Sequence, residues 1–89
     1  PLTGIKNRLA FNADKQEDDK INYVTVIDLS TINMEEGYDA GNEIIARVST
    51  IIENFTENAY RITGSKFAIL NFENIEQLKI ALKGLATVE

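Results

Sequence analysis

Asp28 is the side chain whose setting most invites chemistry. It stands at the end of an apolar, β-branched run, Tyr23-Val24-Thr25-Val26-Ile27. A carboxylate at the mouth of a buried strand can ligate a divalent cation. It can equally serve as the cap or turn residue of the helix that follows. Both roles stay open on sequence alone. Thiol and imidazole chemistry are ruled out, since none of the 89 residues is cysteine or histidine. Disulfide scaffolds, Cys/His zinc sites, thiol nucleophiles and Ser-His-Asp triads are thereby excluded. Fourteen acidic against nine basic residues give a net charge of -5. That is the wrong sign for a general phosphate-backbone binder, so no nucleic-acid partner is expected. No apolar run approaches the roughly 18 residues of a membrane span, and no signal-peptide pattern opens the chain. Direct membrane insertion is not expected, and the lack of cysteine fits a cytoplasmic setting.

The elements that must position Asp28 follow from hydrophobic period and turn residues. Ile21 to Leu29 reads as a strand, apolar enough to be covered on both faces of a sheet. Asp39 to Phe55 reads as a helix with Asp39 as its N-cap. Ile44, Ile45, Val48, Ile51, Ile52 and Phe55 make one stripe on it, opposite Glu43, Arg47, Thr50, Glu53 and Asn54. Ala59 to Ile62 and Phe67 to Phe72 read as a hairpin around Thr63-Gly64-Ser65-Lys66. A last helix is expected from Asn74, with Gln77 as capping-box partner and Gly84 as stop. Ile75, Leu78 and Leu82 give it an inward face. An opening helix-like stretch carries Ile5, Leu9 and Phe11, and the mixed charge run from Asp14 to Lys20 reads as solvated. The expected order is helix, strand, one or two helices, hairpin, helix. That is α+β or an α/β-type sandwich over 1–89: one domain, with a small central sheet containing antiparallel strands and flanked by helices.

Three segments in this order resemble the GGDEF family, the diguanylate cyclase domains that condense two GTP into cyclic di-GMP. Pro1-Leu2-Thr3-Gly4-Ile5-Lys6-Asn7-Arg8 is similar to the family's opening motif, D-x-L-T-G-L-x-N-R. Asn33-Met34-Glu35-Glu36-Gly37-Tyr38-Asp39-Ala40-Gly41-Asn42 resembles N-D-x-x-G-H-x-x-G-D. Tyr60-Arg61-Ile62-Thr63-Gly64-Ser65-Lys66-Phe67 stands where the family has R-x-G-G-(D/E)-E-F. The resemblance implies a nucleotidyl-cyclase-like sandwich. Because family members run on past the hairpin into further strands, it also implies one that is shortened at its C-terminal end.

The resemblance further implies a site, and there the chain departs from the family. Family members hold one GTP per monomer, set two domains face to face, and use carboxylate-held magnesium to position the reacting atoms. Aligning on Val26-Ile27-Asp28-Leu29 puts Asp28 at the first metal carboxylate, whereas aligning on Gly37 puts Thr25 there. The mismatch implies a first helix shorter by about one turn. Asp28 is preferred as a vestigial metal ligand because the strand pattern ends there. In the signature, Thr63 replaces the first Gly, Gly64 keeps the second, and Ser65 and Lys66 replace the two acids. An ammonium at Lys66 would stand where a cation should sit, with no lone pair to donate. Its plainer reading is a surface turn residue. Asn33 matches the Asn that reads guanine, and Asn42 stands at the guanine-reading Asp, where its NH₂ would meet another donor. A helix cap is the plainer reading of Asn42. Asn33, Asn42 and Gly64 are thus the vestigial nucleotide-binding candidates. Met34 and Tyr38 replace an Asp and a His. The R-x-x-D product site would fall on Asn54-Phe55-Thr56-Glu57, where no Arg stands. Cyclic di-GMP binding of that type is not expected.

These departures imply a catalytically inactive, degenerate GGDEF-like domain without catalytic residues, magnesium or another cofactor. Its expected role is regulatory or scaffolding, in cyclic di-GMP-type signal transduction. The expected partner is another domain or protein, such as a linked phosphodiesterase, with a homodimer as a further option. The second reading is a GTP sensor without turnover. An active cyclase would need a metal site that Thr63, Ser65 and Lys66 do not supply. The shortened sandwich fits either a trimmed piece or a naturally reduced copy, inside a larger signalling protein.

Overall fold

The computed structural model describes residues 5–89. Pro1 to Gly4, half of the opening motif, lie outside the described residues. Among the described residues the elements run α1 (Arg8–Asp14), β1 (Ile21–Val26), α2 (Leu29–Glu36), α3 (Tyr38–Phe55), β2 (Ala59–Arg61), β3 (Lys66–Leu70), α4 (Ile75–Ala81) and β4 (Ala86–Val88). The strands form one antiparallel sheet in the order β2-β3-β1-β4. β1 and β3 are its middle, paired from Ile21 opposite Leu70 to Thr25 opposite Lys66. Only the β2–β3 hairpin joins sheet neighbours directly. α2 and α3 carry the chain from β1 past β3 to β2, and α4 carries it from β3 past β1 to β4. This is the split βαβ arrangement, and the expected α+β sandwich.

Side chains alternate along the strands and so feed two cores. Val24, Val26, Ala59, Phe67, Ile69 and Ala86 meet Ile45, Val48 and Ile52 of α3, with Leu78 and Leu82 beside them. On the other face Tyr60, Ala68 and Leu70 meet Phe11 of α1. The Phe11 ring stands edge-on to Tyr60, centroids 5.5 Å apart. The Tyr60 hydroxyl accepts from Lys6 Nζ at 3.3 Å while donating to Asp14. Burial, then the Asp14 bond, raises the Tyr60 pKa above its ordinary value, and the Tyr60 bond raises that of Lys6.

Several details differ from the sequence expectation, each for a physical reason. The strand stops at Val26 rather than Leu29, because Asp28 takes a left-handed φ of 54° that turns the chain out of the ladder. Leu29 is buried as the first residue of α2. Cover on both faces of β1 is incomplete: Tyr23 and Thr25 are half-buried and Ile27 is exposed. Gly37, at φ 89°, holds the N-cap of α3, and Asp39 lies in the first turn, where the helix's positive end favours a carboxylate. The buried centre of the α3 stripe is Ile45, Val48 and Ile52, with Ile44, Ile51 and Phe55 as half-buried flanks. Ser49 is buried beside them, and its Oγ has no hydrogen-bond partner. Leu9 is 77% exposed, since seven residues of α1 turn Phe11 alone fully inward. Asn74 precedes α4 without a side-chain cap bond, so the Gln77 capping box is not made. The helix stops at Ala81 with Leu82 as its C-cap, ahead of the expected Gly84, which at φ 84° turns the chain toward the last strand. That strand, β4, is three residues long, too short for alternation to reveal. The Asp14 to Lys20 run is exposed except for half-buried Asp19. The Asp19 carboxylate accepts from Asn71 Nδ2 at 2.9 Å and from the Gln16 N–H at 2.6 Å.

Candidate functional site

β1, α2 and the β2–β3 turn meet at one end of the sheet. They enclose an open groove of about 430 Å³, lined by Val26, Asp28, Leu29, Ser30, Asn33, Gly64 and Ser65. Backbone bonds fix its walls. The Val26 N–H donates to the Ser65 carbonyl at 2.8 Å, fastening the turn to the end of β1. The Ile62 N–H donates to the Lys66 carbonyl at 2.8 Å and closes the hairpin. Arg61 Nη2 reaches the Gly64 carbonyl at 3.1 Å. On the opposite wall, the left-handed Asp28 starts α2 at once, which brings Ser30 and Asn33, three apart on one helix, to the groove. A Cβ at Gly41 would overlap Asn33 Oδ1 and press on Leu29 Cδ1 at 3.3 Å. Gly41 therefore lets α2 lie close on α3 and seats the Asn33 side chain against it.

Three of the residues that stand out in the sequence, Asp28, Asn33 and Gly64, come together in this groove. Asn42 does not line it; it is exposed on α3 beside Gly41. Nor does Asn42 cap a helix, since Gly37 holds that position. Thr25, the other register for the metal carboxylate, sits within β1 opposite Lys66. Asp28 sits at the position before α2 but makes no side-chain cap bond, so its carboxylate is left free for the groove. Lys66 is the first residue of β3 rather than a residue of the turn. Its Nζ lies over the Tyr23 ring, 5.2 Å from the centroid, and it is not among the groove's lining residues. The hairpin's alternation explains this: Ser65 borders the groove, and the next residue faces the other side of the sheet. Its charge thus goes to a cation–π contact rather than being set against a cation. Ser30 has no counterpart in the sequence expectation, although its spacing from Asn33 on one helix face is the signal that finds it.

Magnesium prefers an octahedron of oxygens, commonly with one or two carboxylates. Asp28 is the only carboxylate among the described residues lining the groove. Among the described residues no group of three or more acidic side chains that could hold a metal is present. A lone carboxylate with serine hydroxyls and an amide is a poor donor set for that ion. The stretch where a product site would fall borders a separate cleft of about 310 Å³, lined by Ile5, Lys6, Glu53, Thr56, Glu57 and Ala59. Two glutamates against one lysine give that cleft an unfavourable balance for a phosphate. No helix among the described residues is long and apolar enough to cross a membrane.

No protein-family model matches the sequence, and no curated protein matches it. Solved structures do match its fold. The GGDEF domain of DgcB from Caulobacter crescentus, in complex with c-di-GMP, superimposes with a TM-score of 0.79 at 20% identity. That match covers 100% of this chain and 72% of the DgcB chain. A diguanylate cyclase/phosphodiesterase from Caldicellulosiruptor saccharolyticus matches at TM-score 0.68 and 26% identity, over 92% of this chain and 58% of that one. The S helix-GGDEF-EAL portion of Vibrio cholerae LapD, bound to c-di-GMP, gives 0.73 at 14% identity, over 100% of this chain and 26% of that one. The chain folds as a GGDEF-like domain.

Proposed function

We propose that this chain is a catalytically inactive GGDEF-like domain with a regulatory or scaffolding role in cyclic di-GMP-type signalling. The observation that carries the reading is the groove's donor set: Asp28 is joined by Ser30, Asn33, Gly64 and Ser65, with no second carboxylate among the described lining residues. Attack of one GTP ribose hydroxyl on another GTP's α-phosphate needs its phosphate charge offset and its atoms aligned. This groove offers the cation too few ligands for either task. One matching structure sets a GGDEF domain beside an EAL domain, and another is a diguanylate cyclase/phosphodiesterase. By that analogy the domain acts beside another signalling unit, such as a linked phosphodiesterase, in the cytoplasm. The test is incubation with GTP and magnesium or manganese at high protein concentration. No cyclic di-GMP above the protein-free control is expected; product would overturn the reading.

A second reading, a GTP sensor without turnover, is favoured by one observation. Asn33 and Gly64 still share the groove, one on α2 and one on the turn. Calorimetry with GTP, with and without magnesium, separates the two. Heat that saturates near one GTP per chain supports the sensor, and its absence supports the scaffold.

A further inference from the structure

We propose that the corner where α2 meets α3 docks a basic, amphipathic helix. Met34 is 88% exposed and Tyr38 is 74% exposed, and they flank the Gly37 break. Every residue from Met34 to Asp39 is exposed. Isolated exposed apolar side chains, such as Leu9 on α1, are ordinary. Two large ones standing four positions apart, one on either side of a helix junction, offer apolar area at one corner, and methionine and tyrosine suit a contact surface because one adapts its shape and the other adds area with a polar tip.

Charge decides what covers that corner. Glu35, Glu36, Asp39 and Glu43 fall within the ten residues from Met34 to Glu43, which contain no Lys or Arg. None of the four takes part in an ion pair among the described residues. A second copy of this chain would set these carboxylates against one another, and an anionic membrane would repel them. A helix with Lys or Arg around an apolar stripe offsets the charge and covers Met34 and Tyr38 at once. The corner lies beside Asn33 and Gly41, so a helix docked there would bear on the wall of the groove.

The test uses the whole chain and a synthetic Lys/Leu amphipathic peptide about five turns long. Controls are a scrambled peptide of the same composition and a Glu/Leu peptide. Binding is followed by fluorescence anisotropy and mapped by amide chemical shifts. The expectation is that the Lys/Leu helix binds, with the largest shifts between Met34 and Glu43. Affinity should fall about tenfold in Met34→Ser/Tyr38→Ser and in Glu35→Lys/Glu36→Lys, and stay unchanged in Leu9→Ser. Absence of binding, shifts centred elsewhere, or equal binding of the scrambled peptide would overturn the proposal. So would self-association in sedimentation that Met34→Ser/Tyr38→Ser abolishes, or preferential binding to phosphatidylserine vesicles.

Discussion

Tyr60 and Asp14, 46 positions apart in the chain, share a 2.7 Å hydrogen bond that ties α1 to the sheet. The hydroxyl end is buried with the ring, whereas Asp14 keeps about half its side chain in water, 47% exposed. Tyr60→Phe should therefore cost about 1 kcal/mol in denaturant melts, since Asp14 and Lys6 can turn to solvent and the edge-on ring contact remains. Phe11→Ala removes the ring contact itself and should cost about 3–5 kcal/mol. Equal losses for the two would show that packing is not what holds α1.

On α3, Ile52 rather than Ile51 is the side chain to truncate. Ile52 is fully buried, at 0% exposure, while Ile51 is half-buried. Ile52→Ala is expected to lose about 2–5 kcal/mol, a large share of what so small a domain has in reserve. Ile51→Ala should lose less than half as much. The reverse ranking in urea melts would misplace the helix's inward face.

Ser49 carries a different signature. Its Oγ is buried without a partner, so the hydroxyl's desolvation is uncompensated. Ser49→Ala, which also improves helix propensity, should leave the melting temperature unchanged or raise it. A clear drop would show that the hydroxyl has a hydrogen bond in solution.

Asp19 sets an acid limb. Its carboxyl is held below the ordinary 3.8, first by the Asn71 side chain and then by the Gln16 N–H. With the folded value depressed, its stabilising contribution is complete above the unfolded value and fades as pH falls through the folded one. Stability should therefore decline below about pH 4, with a shallower slope in Asp19→Asn. Both of its hydrogen bonds lie at the surface, so added salt should narrow the difference between the two proteins. Identical acid limbs at low salt would contradict this.

At the turn, Ser65 and Lys66 are not equivalent. Ser65→Asp adds a carboxylate beside Asp28 and should raise magnesium affinity in calorimetry, whereas Lys66→Glu puts its charge near Tyr23 and should not. With Thr63→Gly added to both changes, turnover of GTP should remain at background, since Asn42 stands outside the groove. Magnesium binding conferred by Lys66→Glu alone would mean that this side chain can swing to the other face.

Much of the fold is legible in the sequence because it rests on local pattern. The i, i+4, i+7 spacing in α3 marks the helix, and the β-branched run marks β1. What escapes is what depends on distant partners. β4 carries no period of its own and exists because β1 needs a second neighbour. Which α3 residues lie deepest depends on Phe67 and Ile69 beneath them. The groove is half legible: Asp28 and Gly64 stand out by type, but the direction of Lys66 comes from hairpin register, and the seat of Asn33 from a close approach at Gly41.

The order of strands in the sheet has a kinetic side. β1 finds its partners β3 and β4 only after the chain has looped back on itself, with Ile21 meeting Leu70 and Val26 meeting Ala86. Contacts so far apart in sequence raise the contact order and slow folding, while the β2–β3 hairpin and α3 can form from neighbours. The end of β1 carrying Asp28 is thus joined to the turn late. In pulse-labelled hydrogen exchange, the Val26 amide bonded to Ser65 should gain protection after the hairpin amides do.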